Sequence, residues 1–359
     1  MRTLFVYQFL TLGGVESVVQ SRIDALGDFG IDADAWFMSE EGGAGTFAGL
    51  QDRLHFGGVG ALSMFVEASS PDLIISIDTP TALHLLRNGS VGPLIVLECH
   101  TTYPENLDYL SLVDSNEVCA VFVPSEHQRR IVHEHLRMRI PVKVVPNPVG
   151  RAFFRESPPP REIPATPVVA WVGRLDSLKN WEAFLNLAGH LEKSGQEFQY
   201  WVIGDTSDRG IASRFFRVAK EMRILPQLRW FRQVPHARMP GLHTMIRMSG
   251  GMVASTSENE SFGLAIAEAM ASGIAVLAPR LGPFPELITD NVTGYLYDPG
   301  DIPGAAEKAT AVLRDRSLRL QTGDSARQNV LARFSPEVAL GSLANTIRSV
   351  ASSAISPRL

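Results

Sequence analysis

The chain has 359 residues, a formal net charge of −5, 45% hydrophobic residues and two cysteines. That balance supports two ordinary hydrophobic cores and excludes a disordered, fibrous or disulfide-built protein. The acidity is uneven: residues 1–150 hold nine Lys and Arg against eighteen Asp and Glu, a balance of −9 that leaves +4 for the remainder. The second half is the better host for an anionic ligand, and the chain lacks the broad basic surface that a nucleic-acid partner requires.

The first ten residues carry one positive charge before a short apolar run, as a signal peptide does, but no small-residue cleavage site follows. They read as the first buried strand of an α/β domain. No apolar stretch has the length of a membrane span, so a soluble, cytoplasmic protein is expected. The sequons at Asn88 and Asn291 are read as coincidental. After the first strand, Gly13-Gly14-Val15-Glu16 opens an amphipathic run with Val18, Val19, Ile23 and Leu26. Backbone N–H groups at such a turn, Gly14 included, can approach a phosphate, although the dinucleotide fingerprint is absent and a tight turn without a ligand fits equally well.

Apolar, β-branched runs recur at residues 4–9, 73–77, 94–97, 118–123 and 142–145, with helical spacing between them, which indicates a parallel, doubly wound sheet. The glycine-rich segment 39–60 reads as a loop. The run at 94–97 ends in Glu98-Cys99-His100, placing His100 at the carboxyl end of a strand, where ligands bind in this architecture. Cys99 and His100 point to opposite faces and form no dyad, so Cys99 reads as a small buried thiol. Arg129, Arg130, His133, His135, Arg137, Arg139 and Lys143 form a basic stretch. It reads first as a solvated helix face and second as a weak contact for the inner face of a membrane.

Proline-dense residues 156–164 read as a linker, so residues 1–150 form one domain and 151–335 a second. The pattern restarts at residues 168–172, 198–203, 228–231, 251–254 and 275–278, with helices at 181–192 and 302–313. A last helix, about 336–359, has no strand after it and is expected to pack back on the first domain. In the second domain Gly173-Arg174 leads to Lys179, a guanidinium fork and a point charge on one short loop, suited to a diphosphate; a surface loop with two solvated cations is the alternative. Gly282 and Glu286 follow the strand at 275–278. The most informative segment runs from Glu258 through Glu260-Ser-Phe262-Gly263-Leu264 to Glu268, where two carboxylates flank a helix start. Its N–H groups and dipole suit an anionic, hydroxyl-bearing ligand, and a helix with an acidic first turn and no ligand explains the same residues.

Taken in order, Gly13-Gly14-Val15-Glu16, His100, Val123-Pro-Ser125-Glu126, Val145-Pro-Asn147-Pro148, Gly173-Arg174 with Lys179, Ser257 through Glu260, Phe262-Gly263 and Glu268, and Gly282 with Glu286 resemble the retaining glycosyltransferases of family 4. The resemblance covers nearly the whole chain. It implies the GT-B fold, two facing Rossmann-like domains with a cleft between them, the first for the acceptor and the second for the nucleotide-sugar. By the resemblance, Arg174 and Lys179 hold the donor diphosphate with the Gly14 backbone, Glu268 binds the ribose, and Glu260 with the Phe262, Gly263 and Leu264 backbone orients the donor sugar. His100 contacts that sugar. Family members transfer with retention and usually without a metal, so no metal or cofactor is expected beyond the donor, a UDP- or GDP-sugar. The acceptor hydroxyl then attacks on the leaving-group face, rather than through a covalent intermediate on Glu260.

The implied activity is sugar transfer to a sugar, lipid-linked or small-molecule hydroxyl acceptor in cell-surface polysaccharide, glycolipid or glycoconjugate synthesis. A nucleotide-sugar epimerase, a phosphorylase and a non-catalytic sugar-nucleotide-binding subunit are the alternatives, since one scaffold hosts several reactions. Two departures stand out. Arg232 occupies a place where many relatives have glycine, near the expected base site, and Glu258 is one carboxylate more than the mechanism uses.

Overall fold

The computed structural model describes residues 1–80, 92–155, 162–206 and 208–355. The sequon at Asn88, residues 156–161 of the proline-dense stretch and residues 356–359 lie outside the described residues. The chain divides into two compact units, Met1–Pro148 with Phe334–Leu359, and Val149–Arg333.

In the first unit, strand β1 (Arg2–Leu10) buries successive side chains on opposite faces: Phe5 enters one core, Leu4 and Val6 another. A strand apolar on both faces needs cover on both sides, which is the signature of a parallel sheet. Helix α1 (Gly14–Ala25) follows, then β2 (Asp32–Glu40), β3 (Leu54–Phe56), α2 (Val59–Ser69), β4 (Leu73–Ile77), β5 (Leu94–Glu98), β6 (Ala120–Val123), α3 (Glu126–His135) and β7 (Val142–Val144). The seven strands are parallel in the order β3-β2-β1-β4-β5-β6-β7. The order reverses at β1 and β4, the switch point where such sheets open a crevice at their carboxyl edge.

Strands β2 and β3 were not read from the sequence. The first begins Asp32-Ala-Asp34-Ala, with Asp32 exposed and Asp34 half-buried, and its four-residue apolar run, residues 35–38, has no β-branched side chain. The second is three residues long and sits in the glycine-rich segment taken as loop. The basic stretch also differs from a single helix face. Helix α3 ends at His135, so Arg137 and Arg139 fall in the following loop and Lys143 lies on β7.

In the second unit the elements are β8 (Val168–Val172), α4 (Trp181–Glu192), β9 (Gln199–Ile203), α5 (Arg209–Glu221), β10 (Leu228–Phe231), α6 (Met239–Met248), β11 (Met252–Ala254), α7 (Leu264–Ala271), β12 (Ala275–Pro279), α8 (Phe284–Leu287), β13 (Tyr295–Tyr297), α9 (Ile302–Arg314) and α10 (Arg316–Phe334). Its six parallel strands run β10-β9-β8-β11-β12-β13, so this sheet also reverses at its first and fourth strands. Val169, Trp171, Tyr200, Val202, Met252 and Leu277 form one core face with Phe184, Leu187 and Leu191 of α4. Strand β13 also escaped the sequence reading, being three residues long and flanked by turn residues.

The final helix, α11 (Pro336–Ile355), belongs to the first unit. Leu340, Leu343, Ala344, Ile347 and Val350 recur at helical spacing and enter the core that holds Phe5 and Phe37. A Cβ at Gly341 would lie 3.3 Å from the Phe29 ring, so glycine lets the helix approach closely there. Among the described residues, no helix is long and apolar enough to cross a membrane.

Candidate active site

The second unit builds its site on the two strands that flank its switch point. Strands β8 and β11 pair in register through Val169 with Met252 and Ala170 with Val253, so the loops that leave them emerge side by side. The β8 loop carries Arg174 and Lys179; the β11 loop carries Glu258 and Glu260. Lys179 Nζ donates to Glu260 Oε1 at 2.6 Å, and Ser257 Oγ donates to the same oxygen at 3.0 Å. Both charged side chains stay partly open to solvent, 26% for Lys179 and 15% for Glu260. Arg174 is 72% exposed and meets only Asp176, at 3.3 Å, among the ion pairs of the described residues. A long cation so loosely held is free to turn toward an anion.

The extra carboxylate has a structural place. Glu258 Oε1 accepts from Asn180 Nδ2 at 3.0 Å, and Glu258 N donates to Leu178 O at 2.7 Å. Asn180 adopts a left-handed conformation, φ 48°, and its side chain caps α4 by accepting from Ala183 N. Thr256 Oγ1 donates to Asn180 O at 2.8 Å and accepts from the buried Trp171 Nε1 at 3.1 Å. The two loops are therefore stitched together below the Lys179–Glu260 pair.

Gly263 precedes α7 with φ 84° and a Cβ there would lie 2.9 Å from the Phe284 ring, so both conformation and space require glycine. No side chain caps this helix start, which leaves the N–H groups at Leu264 as donors on the same edge. Phe262 is buried beneath them. Glu268, one turn on, is also buried, and its Oε1 accepts from His236 Nε2 at 2.7 Å. Burial pulls the His236 imidazole down, but the Glu268 charge and hydrogen bond outweigh it and hold its pKa above the ordinary value. Arg232 is engaged too: Nε donates to Asp205 Oδ1 at 2.7 Å, and the guanidinium lies 5.0 Å from the Trp230 ring centroid. Burial raises Asp205, yet the hydrogen bond from Arg232 turns the balance and leaves that carboxyl below its usual range. Gly282 adopts φ 59° in the loop after β12, and Glu286 lies on α8, its carbonyl accepting from Arg333 at 3.0 Å.

The first unit presents a different assembly at its own carboxyl edge. His100 Nε2 meets Glu98 Oε1 at 2.8 Å, and Glu98 also receives a bidentate pair from Arg22, 2.6 Å at each oxygen. Arg22 and Glu98 are wholly buried. Burial pushes the Glu98 carboxyl up, but Arg22 and His100 overcome it and hold it far below its ordinary range. Glu98 is therefore the acceptor, His100 Nε2 carries the hydrogen, and Nδ1 is the ring nitrogen left for a ligand. Asp78, in a left-handed conformation, receives His100 N at 3.0 Å; burial raises its pKa to about 6 against the pull of His100 and backbone N–H groups. At the glycine turn, Glu16 reaches back to accept from Thr11 N at 2.9 Å and from the Thr11 hydroxyl. A Cβ at Gly13 would strike the Glu16 carboxylate at 2.5 Å, so this glycine makes room for a buried acid, with Gly14 beginning α1. Cys99 is buried against Tyr109, and burial pushes its thiol far above the ordinary value. Among the described residues no cluster of His, Cys, Asp and Glu could hold a metal ion.

The residues singled out in the second half thus converge at one sheet edge. Sequence reading missed the partners: Arg22 and Glu98 behind His100, His236 beside Glu268, and Asn180 beside Glu258. Only Glu98 left a local signal, since positions two apart on a strand share a face.

Comparison with known proteins agrees with this geometry. Residues 154–329 match the family model described as Glycosyl transferases group 1. This second unit is a group 1 glycosyltransferase domain. Arg174, Lys179, Glu260 and Glu268, the residues expected from the sequence to form a site, all fall inside the matched range. N-acetyl-α-D-glucosaminyl L-malate synthase of Bacillus anthracis is 43% identical over 81 residues, 23% of this chain and 21% of that protein. D-inositol 3-phosphate glycosyltransferase of Corynebacterium kroppenstedtii is 31% identical over 172 residues, 47% of this chain and 37% of that protein. The matches span less than half the length of these relatives. The Anabaena protein HepE, solved in complex with UDP and glucose, superposes with a TM-score of 0.81 at 18% identity, covering 97% of this chain and 100% of that one. The group 1 domain and the unit before it therefore share the two Rossmann-like folds of GT-B glycosyltransferases.

Proposed function

We propose that the chain is a retaining glycosyltransferase that moves a sugar from a UDP- or GDP-sugar to a hydroxyl acceptor in cell-surface polysaccharide, glycolipid or glycoconjugate synthesis. The observation that carries this reading is the Lys179–Glu260 pair, 2.6 Å apart and partly open to solvent, with exposed Arg174 on the same loop at the switch point of the group 1 domain. Two cations and an uncapped helix start supply positive potential for a diphosphate, and charge that develops on a leaving nucleotide is stabilised there. Glu260, already fixed by Lys179 and Ser257, accepts from donor-sugar hydroxyls. Glu268 takes the ribose. In the first unit, His100 accepts from a sugar hydroxyl at Nδ1, held in orientation by Glu98. The acceptor hydroxyl attacks on the leaving-group face and passes its proton to a phosphate oxygen.

HepE, solved with UDP-glucose, supports a uridine donor as the first choice. The test is a panel of UDP- and GDP-sugars with sugar and lipid-linked acceptors, product configuration being read by NMR. The expected product keeps the donor's anomeric configuration and releases a nucleoside diphosphate. An epimerised nucleotide-sugar, or sugar phosphate formed only with added phosphate, overturns the reading.

A further inference from the structure

The group 1 domain places a second layer behind Glu268 that the transfer reaction does not use. His236, just after the edge strand β10, holds Glu268 Oε1 at 2.7 Å, and the Glu268 side chain is only 7% exposed. Phe153, in the turn Arg151–Phe154, packs its ring 5.3 Å from the His236 ring and 5.3 Å from that of His243. His243 Nδ1 meets Ser272 Oγ at 3.0 Å, and that hydroxyl donates to Glu268 O at 2.9 Å. The hydroxyl proton is thus spent on the carbonyl, so His243 Nδ1 must carry hydrogen, and its Nε2 is buried without a partner. Burial depresses the His243 pKa to about 4. It serves as a neutral wedge on α6, and the ring that pairs with the carboxylate is His236.

This arrangement divides the carboxylate. One oxygen is taken by an imidazole braced against Phe153, and the other is left for a ligand. A carboxylate fixed at one oxygen loses less freedom when it binds a hydroxyl, and a hydrogen bond to a charged acceptor is stronger than a neutral one.

We propose that His236 is a positioning residue for ribose recognition: by holding Oε1 of Glu268 it fixes Oε2 as the acceptor of the donor's 2′-hydroxyl and so sets the preference for ribonucleotides. The proposal rests on the assignment of Glu268 to the ribose.

The experiment measures binding of UDP, GDP and their 2′-deoxy forms to the full chain by calorimetry, in wild type and in His236→Phe, His236→Ala, His236→Gln and Glu268→Ala. Wild type should prefer the ribonucleotide by about tenfold or more. His236→Phe should shrink that ratio to within about threefold, and His236→Gln, which can still donate, should restore part of it. If phenylalanine disturbs folding, as thermal unfolding would reveal, His236→Ala decides in the same way. A full wild-type ratio in the folded His236→Phe or His236→Ala protein overturns the proposal while the ribose assignment stands. A full ratio in Glu268→Ala overturns the ribose assignment and the proposal together, and so does a wild-type protein that binds neither nucleotide.

Discussion

The two sheet edges of this protein use similar residue types to opposite ends. In the first unit an acid, a guanidinium and an imidazole are locked together: Arg22 and Glu98 are wholly buried and His100 is almost so. In the second, Lys179 and Glu260 form an equally short pair that remains partly open to solvent, and Arg174 stands 72% exposed. The contrast separates positioning from binding. A buried network anchored by a bidentate pair fixes one ring in one orientation and leaves only its Nδ1 for a ligand. A partly exposed pair exchanges partners at lower cost than a buried one, because ion pairs contribute less to stability as they become solvated.

That contrast fails if both networks respond alike to mutation, so the largest effects test it first. Removing the acid in Glu98→Ala leaves Arg22 buried and uncompensated, which should cost about 3–5 kcal/mol of stability in denaturant unfolding; a loss under 1 kcal/mol would show that the network is not structural. Lys179→Ala should do the reverse. Unfolding should stay near wild type, while kcat/KM for sugar transfer falls by about 10²–10³, the scale for losing one donor aimed at developing charge. Activity within threefold of wild type would remove Lys179 from the site.

pH sharpens the comparison. His243, buried in the second unit, titrates near 4 when folded and near about 6.5 when unfolded. Between those values the unfolded chain binds the extra proton, so stability falls as pH drops from 6.5 toward 4, by roughly 3 kcal/mol. Asp78 in the first unit runs the other way. Its folded value of about 6 lies above the unfolded one, so the folded chain holds the extra proton and its contribution grows as pH falls through 6. The two contributions oppose each other, so His243→Gln should leave the Asp78 gain uncancelled as pH falls below 6, and Asp78→Asn should leave the His243 loss uncancelled; identical pH profiles in both variants would contradict the assignment. The smallest expected effect is at the helix start. Gly263→Ala meets a left-handed φ of 84° and the Phe284 ring, a cost of about 1–2 kcal/mol, with weaker donor binding read by calorimetry.

Much of this was legible in the sequence because it is local. The apolar runs gave ten of the strands, and His100, Arg174, Lys179 and Glu260 lie in the segments that follow strands, while Glu268 lies on the helix after one. The missing strands had weaker patterns: β2 opens on alternating Asp and Ala and its short apolar run has no β-branched residue, while β3 and β13 are three residues long. The pairings were illegible for a different reason. Arg22 meets Glu98 across 76 positions and Lys179 meets Glu260 across 81, contacts that exist only once strand order and register are set. Glu258 looked surplus because its partner, Asn180, lies 78 positions away. Arg232, read as a departure near the base site, proves to be tied to Asp205 and stacked on Trp230.

In the proposed function the loop from Gly173 to Asn180 grips a diphosphate. Calorimetry of UDP against uridine, in wild type and in Lys179→Ala, tests it most directly. Wild type should prefer UDP by about a hundredfold or more, and most of this preference should disappear in the variant. An equal preference for UDP in both proteins would contradict it.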